Sequence, residues 1–178
     1  MSILSDHDFL VLQEKETIVT PFKLANLQPA SYDVTLSDSF LVYGDQPIDT
    51  AEISFVKTRP FLAENIELDP GEFVLGSTME VIYIPNGFVG RIEGKSSLAR
   101  IGLVVHVTAG FIDPGFIGNI TLEMYNMNKV SITIYEGMKI AQITLSHVSS
   151  LSDKPYGHSD LNSKYQGSLG TVKSRYKL

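Results

Sequence analysis

The chain has 178 residues, of which 43% are hydrophobic, and a formal net charge of −6. This length fits one domain with a sizeable core, and the absence of cysteine excludes disulfides and thiolate metal sites. The acidic balance argues against duplex DNA or an anionic membrane as the main partner. Residues 1–12 do not look like a signal peptide, because this short segment carries Asp6 and Asp8, so we expect a cytoplasmic protein.

The first half of the chain is predicted to contain one short helix followed by strands. Ser5 followed by Asp8 is typical of a helix start, and this helix is expected to end before Pro21. Gly76 is expected to mark a bulge or break within a long strand. Strands are predicted within residues 28–36, 40–43, 73–84 and 88–93, with only weak, short signals over 48–70.

The second half of the chain continues the pattern of short strands separated by turns. Strands are predicted over residues 103–108, 119–125, 130–134 and 139–145, and the last two are expected to pair across the turn at Glu136 and Gly137. Beyond Ser149 the pattern fades into polar sequence. Many short strands with turns between them indicate a mainly all-β fold in a single domain: an antiparallel sandwich, a jelly roll or a distorted barrel.

A short polar segment before Gly102 carries several chemically useful side chains. Lys95 or Ser96 can begin a short helix there, and Gly102 can end it. The free backbone N–H groups of its first turn, the hydroxyls of Ser96 and Ser97 and the charge of Lys95 suit a phosphate group. Ser96 and Arg100 are four residues apart and share a helical face. The alternative is a capped structural turn whose arginine pairs with a surface acid.

The predicted strand over residues 119–125 carries a candidate catalytic carboxylate. Its apolar residues alternate with polar ones, which places Glu123 on the same face as Thr121 and Tyr125. A glutamate in a partly apolar cleft favours its neutral form, and this suits proton transfer near neutral pH. The alternative is an ordinary exposed glutamate on a solvated strand.

Common hydrolase and zinc chemistries have no motif in this sequence. None of the four histidines lies in H-x-E or H-E-x-x-H, and there is no cysteine pair, so we expect no zinc. Neither G-x-S-x-G nor G-x-x-x-x-G-K-[ST] is present. His106 is interpreted as a packed, hydrogen-bonded residue. Chemistry would therefore use Glu123, Asp113, Arg100 and the serines, with any divalent ion held by phosphates.

The C-terminal segment, residues 154–178, differs in charge from the acidic body. It holds five basic residues against one acid, Asp160. Such a tail can close over a small polyanion, although a solvated terminus has the same charge pattern.

Several of these stretches together resemble one known family. K-S-S-L-A-R-I-G-L, H-V-T-A-G-F-I-D-P-G-F, I-T-L-E and G-M-K-I-A-Q are similar to the dCTP deaminase branch of the trimeric dUTPase superfamily. The resemblance implies a dUTPase-like distorted β-barrel or jelly roll, with a short N-terminal helix and a short helix in the phosphate-binding segment. It also implies a homotrimer with shared active sites and a flexible lid formed by residues 154–178.

The resemblance also implies roles for individual residues. Glu123 is expected to be the general base that activates water for attack on cytosine C4, while Ser96 and Arg100 orient that water and stabilise the developing charge. Asp113 is expected to bind the deoxyribose 3′-hydroxyl, and Mg²⁺ is expected to arrive with the triphosphate. The implied nucleotide contacts are Lys95, Ser96, Ser97, Leu98, Ala99, Arg100, Val107, Ala109, Asp113, Thr121, Leu122, Glu123, Gln142, Tyr156, Lys164, Gln166 and Ser168.

Two features of the sequence bear on the lid and on the product. The family often has glutamine where this chain has Ser168, and Gln166 is a candidate substitute. Gly110, Phe111 and Gln142 resemble bifunctional members that convert dCTP into dUMP and pyrophosphate. The alternative for Gly110 and Phe111 is that they only serve a tight turn, in which glycine supplies backbone freedom.

Four functions therefore stay open at this point. The favoured one is dCTP deamination coupled to triphosphate hydrolysis, with dUTP as a second candidate substrate and dTTP as a candidate inhibitor. The others are a deaminase that releases dUTP, a dUTP diphosphatase that does not deaminate, and a non-catalytic, nucleotide-binding regulatory trimer.

Overall fold

The computed structural model describes residues 2–176, apart from the side chain of residue 54, and is built mainly from β-strands. The predicted lid therefore extends two residues beyond the described part of the chain. The helices are α1 (Asp6–Glu16) and α2 (Ser96–Ala99). The strands are β1 (Val19–Thr20), β2 (Leu27–Gln28), β3 (Ser31–Tyr43), β4 (Thr58–Leu62), β5 (Asn65–Leu68), β6 (Phe73–Tyr83), β7 (Phe88–Gly94), β8 (Leu103–Val104), β9 (Phe111–Ile112), β10 (Ile117–Asn126), β11 (Ile132–Tyr135) and β12 (Lys139–His147).

The N-terminal helix confirms the predicted start and end. The hydroxyl of Ser5 accepts a hydrogen bond from the backbone N–H of Asp8 at 3.3 Å, which caps the first turn. The helix ends when Thr17 adopts a left-handed φ of 52°. Its buried residue, Phe9, stacks on Tyr32 of β3 with ring centroids 5.8 Å apart. No helix within residues 2–176 is long and apolar enough to cross a membrane.

One large sheet curls around the core in the order β8, β10, β6, β3, β12, β7 and β9. The first part of β3 pairs with β12, and its second part pairs with β6 and β4, so this one strand runs through both halves of the curl. The register of β3 against β6 shifts between Leu36 and Phe40, close to the point where β3 stops pairing with β12. The mainly all-β fold is thus confirmed, as are the two short helices.

The predicted hairpin across Glu136 and Gly137 is wrong. β11 pairs with β5 in a separate two-stranded sheet, whereas β12 pairs with β3 on one side and β7 on the other. A strand has only two hydrogen-bonding edges, and both edges of β12 are already occupied. The turn therefore passes the chain from one sheet to another.

The ladders also test three other strand predictions. Gly76 stays in the β6 ladder opposite Leu122, and a Cβ there would lie 2.5 Å from the Met124 side chain, so close packing explains this glycine. The register of β6 shifts against β10 at residues 78–80 and against β3 between Gly76 and Thr78, so Gly76 borders an irregularity as expected. The turn and strand predicted over residues 28–36 continue through residues 40–43 in β3, as expected. The strand predicted over 103–108 is shorter than expected, because only Leu103–Val104 pairs.

The buried side chain of Asn126 fixes the end of β10, the strand that carries Glu123. Its Nδ2 group donates to the carbonyl oxygens of Leu68 at 2.8 Å and Val130 at 2.9 Å. Its Oδ1 atom accepts from the backbone N–H of Asn128 at 2.8 Å. One amide thus joins β10 to β5 and to the turn that follows β10.

We expect Asn126→Ala to lower the free energy of unfolding by about 2–4 kcal/mol, because it leaves buried backbone groups without partners. Urea denaturation of this variant and of Met127→Ala measures the effect. Met127 is exposed and adjacent in sequence, so its truncation should change stability little. Equal stability of the two variants would contradict the assigned role of Asn126.

Candidate active site

Glu123 lies in the middle of β10, and its position follows from the alternation of that strand. Ile120, Leu122 and Met124 are buried in the core, so Thr121 and Glu123 project from the opposite face. The ladder places Glu123 opposite Leu75 of β6. The half-buried carboxylate therefore stands on the outer face of the curled sheet beside an apolar neighbour.

A cavity of about 580 Å³ opens in front of this face. Its lining combines residues for which the sequence analysis predicted a role with residues for which it predicted none. The expected ones are Ala109, Phe111, Asp113, Thr121, Glu123, Tyr156, Lys164 and Ser168. The others are Tyr43, Phe73, Leu75, Ile112, Phe116, Asn119, Ile120, Asn162, Tyr165, Val172 and Ser174.

The surroundings of Glu123 favour its protonated form. Burial is the main influence and raises the pKa of the carboxyl above its ordinary value of 4.5. Two influences oppose this rise in pKa: hydrogen bonding from backbone N–H groups, chiefly that of Val107, and the proximity of His106. The Val107 N–H donates to Oε2 at 3.4 Å. A carboxylate of raised pKa at a cavity wall is suited to accept and return protons near neutral pH.

His106 and Gly110 pack closely against each other near Glu123. A Cβ on Gly110 would lie 2.7 Å from the carbonyl oxygen of Ile92 and 2.9 Å from Cε1 of His106. Gly110 is not among the described residues with positive φ, so lack of space explains this glycine better than backbone freedom does. The Nδ1 atom of His106 is buried and has no hydrogen-bond partner among the described residues. His106 thus packs as expected, but without the expected hydrogen bond at this atom.

Lys95 and Gln142 form a second polar cluster on the sheet made by β3, β12 and β7. Asp33 is 3% exposed and pairs with Lys95 Nζ at 2.5 Å and with Lys139 Nζ at 3.2 Å. Gln142 stands opposite Asp33 in the ladder and accepts a hydrogen bond from the Ser31 hydroxyl at 3.1 Å. Glu93 of β7 stands opposite Gln142 on its other side, so the same face carries two carboxylates and the two lysines.

The residues of α2 lie outside the cavity that contains Glu123. Ser96, Ser97, Ala99 and Arg100 are exposed, and Leu98 packs against the core. Gly102, with a φ of 86°, follows the helix as expected. The structure therefore separates the expected site residues of one chain into two groups, the Glu123 cavity and the α2 surface with its neighbouring Lys95 cluster.

The C-terminal segment folds over the cavity. The backbone N–H of Tyr165 donates to the Tyr156 hydroxyl at 2.9 Å, and Lys164 Nζ lies 4.9 Å from the Tyr176 ring centroid. Gln166 binds backbone groups of residues 115 and 117 and does not line the cavity. Ser168 does line it, and its buried hydroxyl has no hydrogen-bond partner among residues 2–176.

Comparison with known proteins identifies the family. A model described as dCTP deaminase-like matches residues 3–148. The chain belongs to the dCTP deaminase-like family. Proteins named "dCTP deaminase, dUMP-forming" from Rhodococcus opacus and Mycolicibacterium smegmatis are each 44% identical to it, over 99% of this chain and 97% of theirs.

Solved structures share the fold of this dCTP deaminase-like protein. A 2′-deoxycytidine 5′-triphosphate deaminase from Agrobacterium tumefaciens superposes with a TM-score of 0.65 at 18% identity, over 82% of this chain and 48% of that longer one. A mutant dUTPase from phage phi11 of Staphylococcus aureus gives a TM-score of 0.50 at 20% identity, over 78% of this chain and 90% of its own. At these identities the likeness shows the fold alone.

A protein-bound metal has no evident set of ligands in this family member. Among the described residues, no three His, Asp or Glu side chains converge to hold an ion. Asp33 is committed to two lysines.

We expect Gly110→Ala to lower the free energy of unfolding by about 1–3 kcal/mol, because its Cβ would collide with a backbone oxygen that cannot easily move. The Ile92 N–H donates to the Gly110 carbonyl at 2.8 Å and holds the two segments together. Urea denaturation tests this, with Gly44→Ala as the control. The nearest neighbour of a Cβ at Gly44 is 3.6 Å away, so that variant should be neutral or slightly stabilised. A neutral Gly110→Ala would contradict the packing explanation.

Proposed function

We propose that the protein deaminates dCTP at cytosine C4 and cleaves its triphosphate, giving dUMP, ammonia and pyrophosphate. The observation that carries this proposal is the half-buried Glu123 at a cavity wall, in a chain 44% identical to dUMP-forming dCTP deaminases over 99% of its length. Such a reaction supplies dUMP for dTTP synthesis. A cytoplasmic location fits the acidic, cysteine-free sequence.

The chemistry at C4 needs a group that takes up a proton and later returns one. Glu123 accepts a proton from water as the water oxygen bonds to C4, and this proton passes to N3. Glu123 then transfers the remaining proton of the added hydroxyl to the exocyclic nitrogen. The C4–N bond breaks, ammonia leaves and the C4 carbonyl forms. A carboxyl of raised pKa is matched to both transfers near neutral pH.

The remaining catalytic groups come from a second copy of the chain in this proposal. Ser96 and Arg100 are expected to orient the water and to stabilise charge in the tetrahedral intermediate. They are exposed on α2, whereas Glu123 lies in a cavity that they do not line. This separation supports a homotrimer in which the α2 surface of one subunit completes the cavity of its neighbour.

The nucleotide is held by groups from both halves of the shared site. Asp113, Ala109 and Thr121 line the cavity, which supports a role for Asp113 in binding the deoxyribose hydroxyl and for the segments around Ala109 and Thr121 in binding the base. Lys164 and the unpartnered hydroxyl of Ser168 face the same space and suit phosphate oxygens. Lys95, Ser97 and Gln142 supply further phosphate contacts from the neighbouring subunit. Mg²⁺ bound to the triphosphate would neutralise part of its charge.

The dUMP-forming product is favoured over release of dUTP. Gly110, Phe111 and Gln142 resemble the bifunctional members, and several similar relatives are named as dUMP-forming. Cleavage by water between the α- and β-phosphates completes this reaction. Acceptance of free dUTP as a substrate and inhibition by dTTP belong to the same proposal.

We expect the wild-type protein with dCTP and Mg²⁺ to give dUMP and pyrophosphate without accumulating dUTP, as resolved by ion-exchange chromatography. Glu123→Gln should lose deamination by at least about 1,000-fold while retaining dCTP binding by calorimetry, because the substitution keeps size and removes the base. Glu67→Gln, an exposed strand glutamate, is the matched control. Accumulating dUTP would favour the single activity, and full activity of Glu123→Gln would remove its role as base.

Mixing inactive subunits tests the shared site. Glu123→Gln and Arg100→Gln chains should each be inactive, yet refolding them together in equal amounts should restore about a quarter of wild-type activity. That value follows for a three-fold ring in which each site takes Glu123 from one chain and Arg100 from the next. Glu123→Gln mixed with the double variant should stay inactive. Absence of recovery in the first mixture would show that each site lies within one chain.

A further inference from the structure

Residues 170–174, near the end of the described chain, lie as a strap across the outer face of the main sheet. The backbone N–H groups of Gly170, Thr171 and Val172 donate to the Asn119 side chain at 2.9 Å, the Ser39 hydroxyl at 3.2 Å and the Thr121 hydroxyl at 3.3 Å. The Thr171 hydroxyl donates to the Ser39 carbonyl, and the Ser174 N–H donates to the Tyr43 hydroxyl at 3.1 Å. The strap is thus bound to β3 and β10 of its own chain.

This strap covers apolar side chains that the core does not bury. Leu41 and Leu75 are each only 5% exposed, yet neither belongs to the main core cluster. Leu41 lies between Ser39 and Tyr43 on the same face of β3, and both of these neighbours bind the strap. The strap therefore passes over Leu41 and replaces water on this face.

The strap also borders the cavity in front of Glu123. Val172 and Ser174 line that cavity together with Leu75, which stands opposite Glu123 in the ladder. Val172 binds Thr121, two residues from Glu123 on the same face of β10. An apolar side chain thus stands at the cavity wall next to the strand that carries the proposed base.

We infer that the strap is a built-in wall of the active site, and that Val172 is a positioning residue which keeps water away from the Glu123 carboxylate. The inference rests on the proposed role of Glu123 as general base. It concerns the exclusion of water from Glu123 by a side chain of the strap, which is hydrogen-bonded to its own chain.

Burial of Glu123 beside the strap determines how the activity is expected to depend on pH. Burial is the largest cause of the raised pKa of Glu123, and an apolar wall contributes to that burial. The base works only when deprotonated, so activity falls as pH drops through its pKa. If the strap admits more water to Glu123, the pKa of Glu123 falls, and the acid limb of the activity profile moves to lower pH. Other titratable groups facing Glu123 or its cavity are Tyr43, His106, Asp113, Tyr156, Lys164 and Tyr165.

The test compares the pH profile of kcat/KM for wild type, Val172→Thr and Val172→Ala. Threonine keeps the branched shape and adds a hydroxyl, and alanine serves as a second variant because it introduces no new polar group. We expect the acid limb to move to lower pH by about half a unit or more. Leu169→Ala is the control, because Leu169 is 74% exposed and does not line the cavity. This control should keep the wild-type limb.

A direct titration separates this inference from the proposed function. Carbon-13 NMR of glutamate-labelled protein, with Glu123→Gln for assignment, should show a lower pKa for Glu123 in both Val172 variants. An unchanged pKa and an unchanged acid limb would overturn the inference while Glu123→Gln stays inactive. An active Glu123→Gln would instead overturn the role of the base. A drop in rate that is equal at every pH would show that Val172 acts only on stability.

Discussion

The burial of one carboxylate on the outer face of β10 is the constraint on which the proposed chemistry depends. Glu123 shares a strand with three core residues, and a strand cannot turn one side chain over without moving its neighbours to the opposite face. The core contacts of Ile120, Leu122 and Met124 therefore hold the carboxylate at the cavity wall. The same burial that positions the group also raises its pKa, so geometry and proton affinity have one origin.

Charge compensation explains the position of Lys95, one of the expected site residues outside the Glu123 cavity. Asp33 lies almost completely buried beneath Lys95 and Lys139, and an isolated buried carboxylate would be costly without such partners. Lys95 is thus fixed on the sheet near α2 instead of reaching into the Glu123 cavity. In the proposed shared site, the nucleotide would lie between Lys95 of one copy and Glu123 of the other.

The C-terminal segment combines two kinds of contact that its basic composition does not distinguish. Around Tyr156 and Lys164 it borders the cavity with side chains suited to a nucleotide. Farther along, Thr171 and its neighbours bind the sheet through backbone hydrogen bonds and cover Leu41. Gln166, the candidate substitute for the missing lid glutamine, is bonded to the backbone near Gly115, whereas Ser168 reaches the cavity wall.

The sequence by itself determined the features that depend on near neighbours. The Ser5 cap, the left-handed Gly102 and the alternation that separates Leu122 from Glu123 all follow from spacing along one element, and the family resemblance rested on such contiguous motifs. Only the tertiary structure decided that β11 pairs with β5 and that Gln142 accepts a hydrogen bond from Ser31. It also decided that Val172 lines the Glu123 cavity. Those contacts join residues far apart in sequence, and they depend on which edges and faces other elements have already filled.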